Sequence, residues 1–238
     1  NPKMFELNEL NFHKTDSYRA KFLIESVENL KTELNKNNIS LIIKIGDPVE
    51  ELTNIISNKN INHVYFQNEW TEEEVQEEKS LKNKCDRVKF HSFYGQFLYD
   101  PEDLEIQNIS NVFTNFRKHC EKKIEVRNLT DSVTKLNPKN LIIEDYNVPT
   151  LDDLGLNDFD VDSRSVFKFK GGSDSAKERV DYYLWKSNKI SYYKKTRNGL
   201  IGLDYSSKFS AWLSNGSISP IEIFWQIKDY EKNILKNQ

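Results

Sequence analysis

The alternation of apolar patterns in the N-terminal part of the chain limits its fold more than any other feature. Thr15 or Asp16 can cap a helix running to about Lys36, and Phe22, Leu23, Val27, Leu30 and Leu34 fall on one face of it. After Asn37-Asn38, the run Leu41-Ile42-Ile43 with Ile45 reads as a buried strand. Gly46-Asp47-Pro48 then supplies a turn, an N-cap and an N1 proline, opening a second helix with Val49, Leu52, Ile55 and Ile56 inward. His63-Val64-Tyr65-Phe66 is the next strand, Thr71 with Glu74 forms a capping box for a third helix, and Val88 and Phe90 lie in the strand after it. Strands alternating with helices at this spacing make parallel βαβ units, so the expected fold is an α/β doubly wound parallel sheet. Ligands of such sheets sit at the carboxyl ends of the strands, here Gly46-Asp47 and Gln67-Asn68-Glu69-Trp70. Neither segment carries GxGxxG or a P-loop, so no nucleotide site follows from motif.

The pattern then changes. Residues 93–104 read as a loop, and Val112, Phe113, Phe116 and Cys120 line one face of a short helix. From Ile124 to Asp162 periodicity is weak and prolines stand at 138 and 149, as in a connector. Gly171-Gly172-Ser173 opens a helix with Ala176, Val180, Tyr183 and Leu184 inward. Ser219-Pro220 with Glu222 caps another, whose stripe is Ile223, Phe224, Ile227 and Tyr230. The expected organisation is an α/β domain over 1–123, a connector over 124–162 and a helical region over 163–238.

Composition excludes several classes. With 37% hydrophobic and 12% aromatic residues, the 238-residue chain can bury a core and is not disordered. Cys85 and Cys120, its only cysteines, lack the spacing of a disulfide framework or a zinc site. His13, His63, His91 and His119 form no metal-binding motif, and Glu69, Glu72, Glu73, Glu74, Glu77 and Glu78 fit a solvated helix face. No metal site is expected. No apolar run of about 18 residues exists, and the first residues do not resemble a signal peptide, so a soluble cytoplasmic setting without membrane contact is expected.

A net charge of −3 does not point to a nucleic-acid binder, but local charge differs. Residues 163–197 carry ten Lys and Arg against three acids, a local +7, with Trp185, Tyr192 and Tyr193 interleaved. Basic side chains beside aromatic rings suit single-stranded nucleic acid, through phosphate attraction and base stacking. A solvated helix face gives the same composition more often.

Next comes YKKTRNGLIGLDYSSKFSAWLSNGSISP, residues 193–220. Ser206-Ser207-Lys208-Phe209-Ser210 offers three hydroxyls, an ammonium and several N–H groups where a loop turns into a helix, which favours a phosphate. An N-capped helix after a glycine-rich turn is the commoner reading of such residues.

The run TRNGLIGLDYSSKFSAWLSNGSISP resembles the flavin-binding signature of the photolyase/cryptochrome family, above all its DASH-type cryptochromes. FKGGSDSAKERVDYYLW and VYFQNEWTEEE extend the resemblance upstream, as does GQFLYDPEDLEIQNISNVFTNFRKHCE. The resemblance implies an antenna-type α/β domain followed by the start of an all-α FAD-binding domain. It further implies a blue-light flavoprotein that repairs cyclobutane pyrimidine dimers in single-stranded or damaged DNA by electron transfer from reduced FAD, a deoxyribodipyrimidine photo-lyase. The alternative on the same fold is a non-repairing photoreceptor or nucleic-acid-binding regulator. Carried onto this chain, the family's FAD-phosphate loop corresponds to Ser206, Ser207, Lys208, Phe209 and Ser210, and a tyrosine beside the flavin to Tyr193. Lys194, Lys195 and Arg197 become candidates for phosphates of FAD or DNA, and no catalytic side chain is assigned. A methenyltetrahydrofolate-type antenna and a monomeric state are also implied. Ala211 stands where DASH members often have proline, and Ile221 where the family usually has arginine. Family members begin with a strand bearing a WFRRDLR-like motif and continue through further flavin-closing helices. By this resemblance the chain reads as a fragment lacking the first strand and the C-terminal half of the FAD domain. Alone it is expected to bind FAD weakly or not at all, and to repair nothing.

Overall fold

The computed structural model describes residues 1–104, 109–142, 144 and 146–233. The run 95–121 and the connector are therefore described in part, and residues 234–238 of the helical region lie outside the described residues. The chain divides into two compact units, residues 1–15 with 42–95, and 16–41 with 96–238.

The first unit is built on one βαβ motif. Strands β1 (His63–Gln67) and β2 (Lys89–Phe93) pair in parallel, with Val64 opposite Phe90 and Tyr65 opposite His91. Helix α2 (Pro48–Asn58) starts where the sequence predicts, the Asp47 carboxylate accepting from the N–H groups of Val49 and Glu50 at 3.0 and 3.1 Å. Helix α3 (Glu72–Lys84) crosses over between the strands. Thr71 stands at its N-cap in extended geometry, but its hydroxyl makes no capping bond. Val49, Ile56, Leu81 and Cys85 form the core of this unit, with Val64 and Phe90 against them.

Two further expectations for this unit need correction. Residues 41–45 form no strand among the described residues, because no neighbouring segment takes their backbone groups into a ladder. Leu52 is exposed rather than inward. The parallel register also brings together two histidines distant in sequence, His63 Nδ1 within 3.0 Å of His91 Nε2, with Tyr65 stacked on His91.

In the second unit, helix α1 (Ser17–Lys36) is capped by Asp16, which accepts from Ser17 N–H at 2.6 Å. Ala20 is its one fully buried residue, and Leu30 is exposed rather than core. Helix α4 (Phe113–Lys123) buries Cys120, whereas Val112 and Phe113 stay exposed, so that helix packs through a narrower face than its pattern predicts. The described residues between 124 and 162 are irregular apart from 3₁₀ turns at Pro138–Asn140 and Asp152–Leu154.

The core of this unit forms around helix α5 (Ser173–Asp181), which continues without a break into a π-helical turn, Tyr182–Lys186. Ala176, Val180, Tyr183 and Leu184 are buried as their spacing predicts. They pack with Phe209, Trp212, Ile218, Ile223 and Tyr230. The one-turn helix α6 (Tyr193–Thr196), helix α7 (Ser210–Ser214) and helix α8 (Pro220–Asn233) complete the unit. Ser219 caps α8, accepting from Ile221 N–H at 3.1 Å. The two glycines before α5 lie against α1: Gly171 N–H donates to Glu25 at 2.8 Å, and Gly172 N–H to Ser26 Oγ at 3.0 Å.

Candidate functional site

Residues 203–210 leave α6 behind and lead into α7. Lys208 adopts φ 65°, and Phe209 follows in right-handed geometry at φ −72° and ψ −18°. A left-handed residue followed by a right-handed one turns successive N–H groups toward the same side, the backbone arrangement that receives anions. Ser206, Ser207, Lys208 and Ser210 have no acceptor for their N–H groups among the described residues. The hydroxyls are equally uncommitted among the described residues, and Phe209, the N-cap of α7, makes no side-chain cap bond. The capping reading of these serines therefore has no hydrogen bond behind it. Phe209 is buried and meets Tyr183 edge-on at 5.8 Å, which pins the end of the loop to the core.

The loop is held from beneath by a residue that sequence reasoning missed. Arg179, 4% exposed, donates to the carbonyls of Leu203, Ser206 and Ser207 and to the Asp204 carboxylate. The guanidinium lies 5.0–5.4 Å from the rings of Phe169, Tyr182 and Tyr183. Tyr182 closes the arrangement by donating its hydroxyl to Asp204 at 3.1 Å. Burial raises the Tyr183 phenol pKa above its ordinary 10.0, with the neighbouring Arg179 charge pulling the other way. In the sequence Arg179 is one of the ten basic residues of the 163–197 patch. The one clue to a different role is its place one position before buried Val180, on the apolar flank of α5.

The remaining predicted residues surround this loop without all facing it. Tyr193 is 41% exposed in α6, and Thr196 of the same turn donates to the Tyr205 carbonyl at 2.9 Å, joining α6 to the loop. Lys194, Lys195 and Arg197 are exposed and form no ion pair among the described residues. Lys186 of the same basic run is paired with Asp181 at 2.7 Å, and Arg179 is buried, so the free positive charge of the patch is smaller than its composition implies.

At the carboxyl end of β1, Gln67 donates to Glu69 at 3.0 Å and Trp70 stacks on Tyr94 at 5.3 Å, the rings 9° apart. Glu69 and Trp70 are exposed there. Among the described residues no cluster of three His, Cys, Asp or Glu could hold a metal ion, and no helix is long and apolar enough to cross a membrane.

Comparison with known proteins gives this chain a family. Residues 3–137, more than half of the chain, match the DNA photolyase family model. The cryptochrome DASH of Xenopus laevis is 39% identical over 96% of this chain and 45% of its own length. That of Gloeobacter violaceus is 37% identical over 99% of this chain and 48% of its own. The chain thus spans about half the length of the curated relatives it matches. A Synechocystis cryptochrome crystal structure superposes with a TM-score of 0.90 at 34% identity, over 98% of this chain and 49% of that one. An Agrobacterium tumefaciens class III photolyase, 22% identical, shares the fold with a TM-score of 0.74. The parallel sheet flanked by helices, with a helical region after it in sequence, therefore has the photolyase/cryptochrome fold, and the chain belongs to the DNA photolyase family, with its resemblance running to the DASH cryptochromes.

Proposed function

We propose that this chain carries the FAD-phosphate end and part of the nucleic-acid surface of a DASH-type cryptochrome/photolyase. The observation that carries the proposal is the loop 206–210, where the N–H groups of Ser206, Ser207, Lys208 and Ser210 and the serine hydroxyls have no partner among the described residues and, with the Lys208 ammonium, suit a pyrophosphate. Ser206, Ser207 and Ser210 would donate to the phosphates, Lys208 would supply countercharge, Phe209 would anchor the loop, and Tyr193 would stand beside the flavin. FAD, when bound, supplies light-driven electron transfer, and the chain's part is to bind and orient it. Lys194, Lys195 and Arg197 are free to attract phosphates of FAD or of DNA, single-stranded or damaged DNA being favoured because a lesion base must leave the stack to be reached. The Gln67–Trp70 edge is the proposed place for a folate-type antenna. In this reading residues 1–123 form the antenna domain, 124–162 the connector and 163–238 the start of the FAD domain, in a monomeric cytoplasmic protein.

The test is an absorption spectrum of the full-length product, followed by blue-light repair of a thymine dimer in single-stranded and duplex DNA. Flavin bands with repair that prefers the single strand are expected. Flavin bands without repair would move the function to a photoreceptor, and no flavin would end the proposal.

A further inference from the structure

We infer that Arg179 is the positioning residue of the anion loop, acting through the loop backbone and not through its charge. This rests on the reading of residues 206–210 as an anion-binding loop. Four of the five guanidinium N–H groups are already committed: Nε donates to Ser207 O at 3.0 Å, Nη1 to Asp204 at 2.9 Å, and Nη2 to Leu203 O and Ser206 O at 2.9 and 3.2 Å. It is buried and neutralised by Asp204, so it has neither the exposure nor the spare charge of a phosphate ligand. Its effect is geometric. No cis peptide bond occurs among the described residues, and in a trans peptide the C=O of one residue and the N–H of the next point in opposite directions. Drawing the carbonyls of Leu203, Ser206 and Ser207 inward therefore turns the N–H groups of Asp204, Ser207 and Lys208 away from the guanidinium. The left-handed turn at Lys208 follows directly on the last carbonyl that Arg179 ties. Asp204, held by Tyr182 through its second oxygen, keeps the planar fork in register with these acceptors.

Only a planar, multi-donor side chain can do this. Lysine carries the same charge on one nitrogen and cannot reach four acceptors spread along the loop. The experiment compares wild-type, Arg179→Lys and Asp204→Asn forms of the flavin-free full-length product in amide-resolved NMR, titrated with inorganic pyrophosphate. Wild type should show saturable shifts at the Ser207 and Lys208 amides. Arg179→Lys should weaken binding at least tenfold and move those two amides in the unliganded spectrum, while the remainder of the fingerprint stays dispersed. A lysine variant that binds as wild type does, with unmoved amides, overturns the inference and leaves the anion loop standing. No response in the wild type overturns the anion-loop reading itself, and the inference with it. Should Arg179→Lys fail to fold, Asp204→Asn decides. It keeps the arginine and its three carbonyl bonds, and is expected to weaken pyrophosphate severalfold; wild-type affinity in that variant overturns the inference.

Discussion

Replacing Gly171 by alanine tests how the helical unit is assembled. A methyl group there would lie 2.0 Å from the Phe22 carbonyl oxygen, 2.5 Å from Ser26 Oγ and 2.9 Å from Ser26 N. Two of these are backbone atoms of α1 and cannot rotate aside, so helix and glycine segment must separate by roughly an ångström. Overpacking of this kind costs about 1–3 kcal/mol. Separation also lengthens the Gly171 N–H bond to the Glu25 carboxylate, a charged bond worth about 1.5–3 kcal/mol. The smaller freedom of alanine in the unfolded chain returns about 0.4–1 kcal/mol. The net expectation is a loss of about 3 kcal/mol, a large part of the roughly 5–15 kcal/mol that typically holds a domain. Urea unfolding followed by tryptophan fluorescence is the assay, because Trp185, Trp212 and Trp225 all lie in the unit that carries the substitution. Gly155→Ala is the control: its φ of 71° strains alanine by about 1–2 kcal/mol, yet nothing lies within 4 Å of the added methyl. A Gly171→Ala loss no larger than that of Gly155→Ala would refute the close approach to α1.

Trp212→Phe should cost about 1–2 kcal/mol in the same assay, since it removes the indole N–H bond to the Lys170 carbonyl (3.0 Å) from a fully buried site; Trp212→Ala should cost about 3–5 kcal/mol. The Arg127 guanidinium, hydrogen-bonded to Asp103, holds that carboxyl below its ordinary 3.8. A lowered folded-state value means that the stabilisation is complete above about pH 4 and disappears as pH falls through the folded-state value. Asp103→Asn should therefore lower the urea midpoint at pH 7 and matter less and less in stronger acid, and an equal difference at both ends would contradict this. Lys194→Glu with Lys195→Glu should weaken single-stranded DNA binding by the full-length product. The same pair should flatten the log–log dependence of affinity on salt by about 0.7 for each phosphate that is no longer neutralised, read from titrations at several salt concentrations. An unchanged slope would remove these lysines from the DNA surface.

Much of the local structure follows from adjacent residues alone. Asp16, Asp47 and Ser219 cap the helices they precede because an N-cap bond closes within three residues. The buried face of α5 follows from helical spacing, and β1 and β2 from short apolar runs between turn residues. The signature around Ser206–Ser210 likewise points to a phosphate loop before any coordinate is considered, although its residues also fit a plain cap. Tertiary structure decided what depends on partners distant in sequence. Residues 41–45 have the composition of a strand, but a ladder needs a neighbour to take its hydrogen bonds. Leu30, Leu52, Val112 and Phe113 have helical spacing, but burial requires something packed over them. His63 meets His91 only through the register of two parallel strands. Arg179 has the composition of a surface charge and becomes the buried support of the candidate loop, because four acceptors spread over Leu203–Ser207 converge on it only once α5 and that loop are packed together.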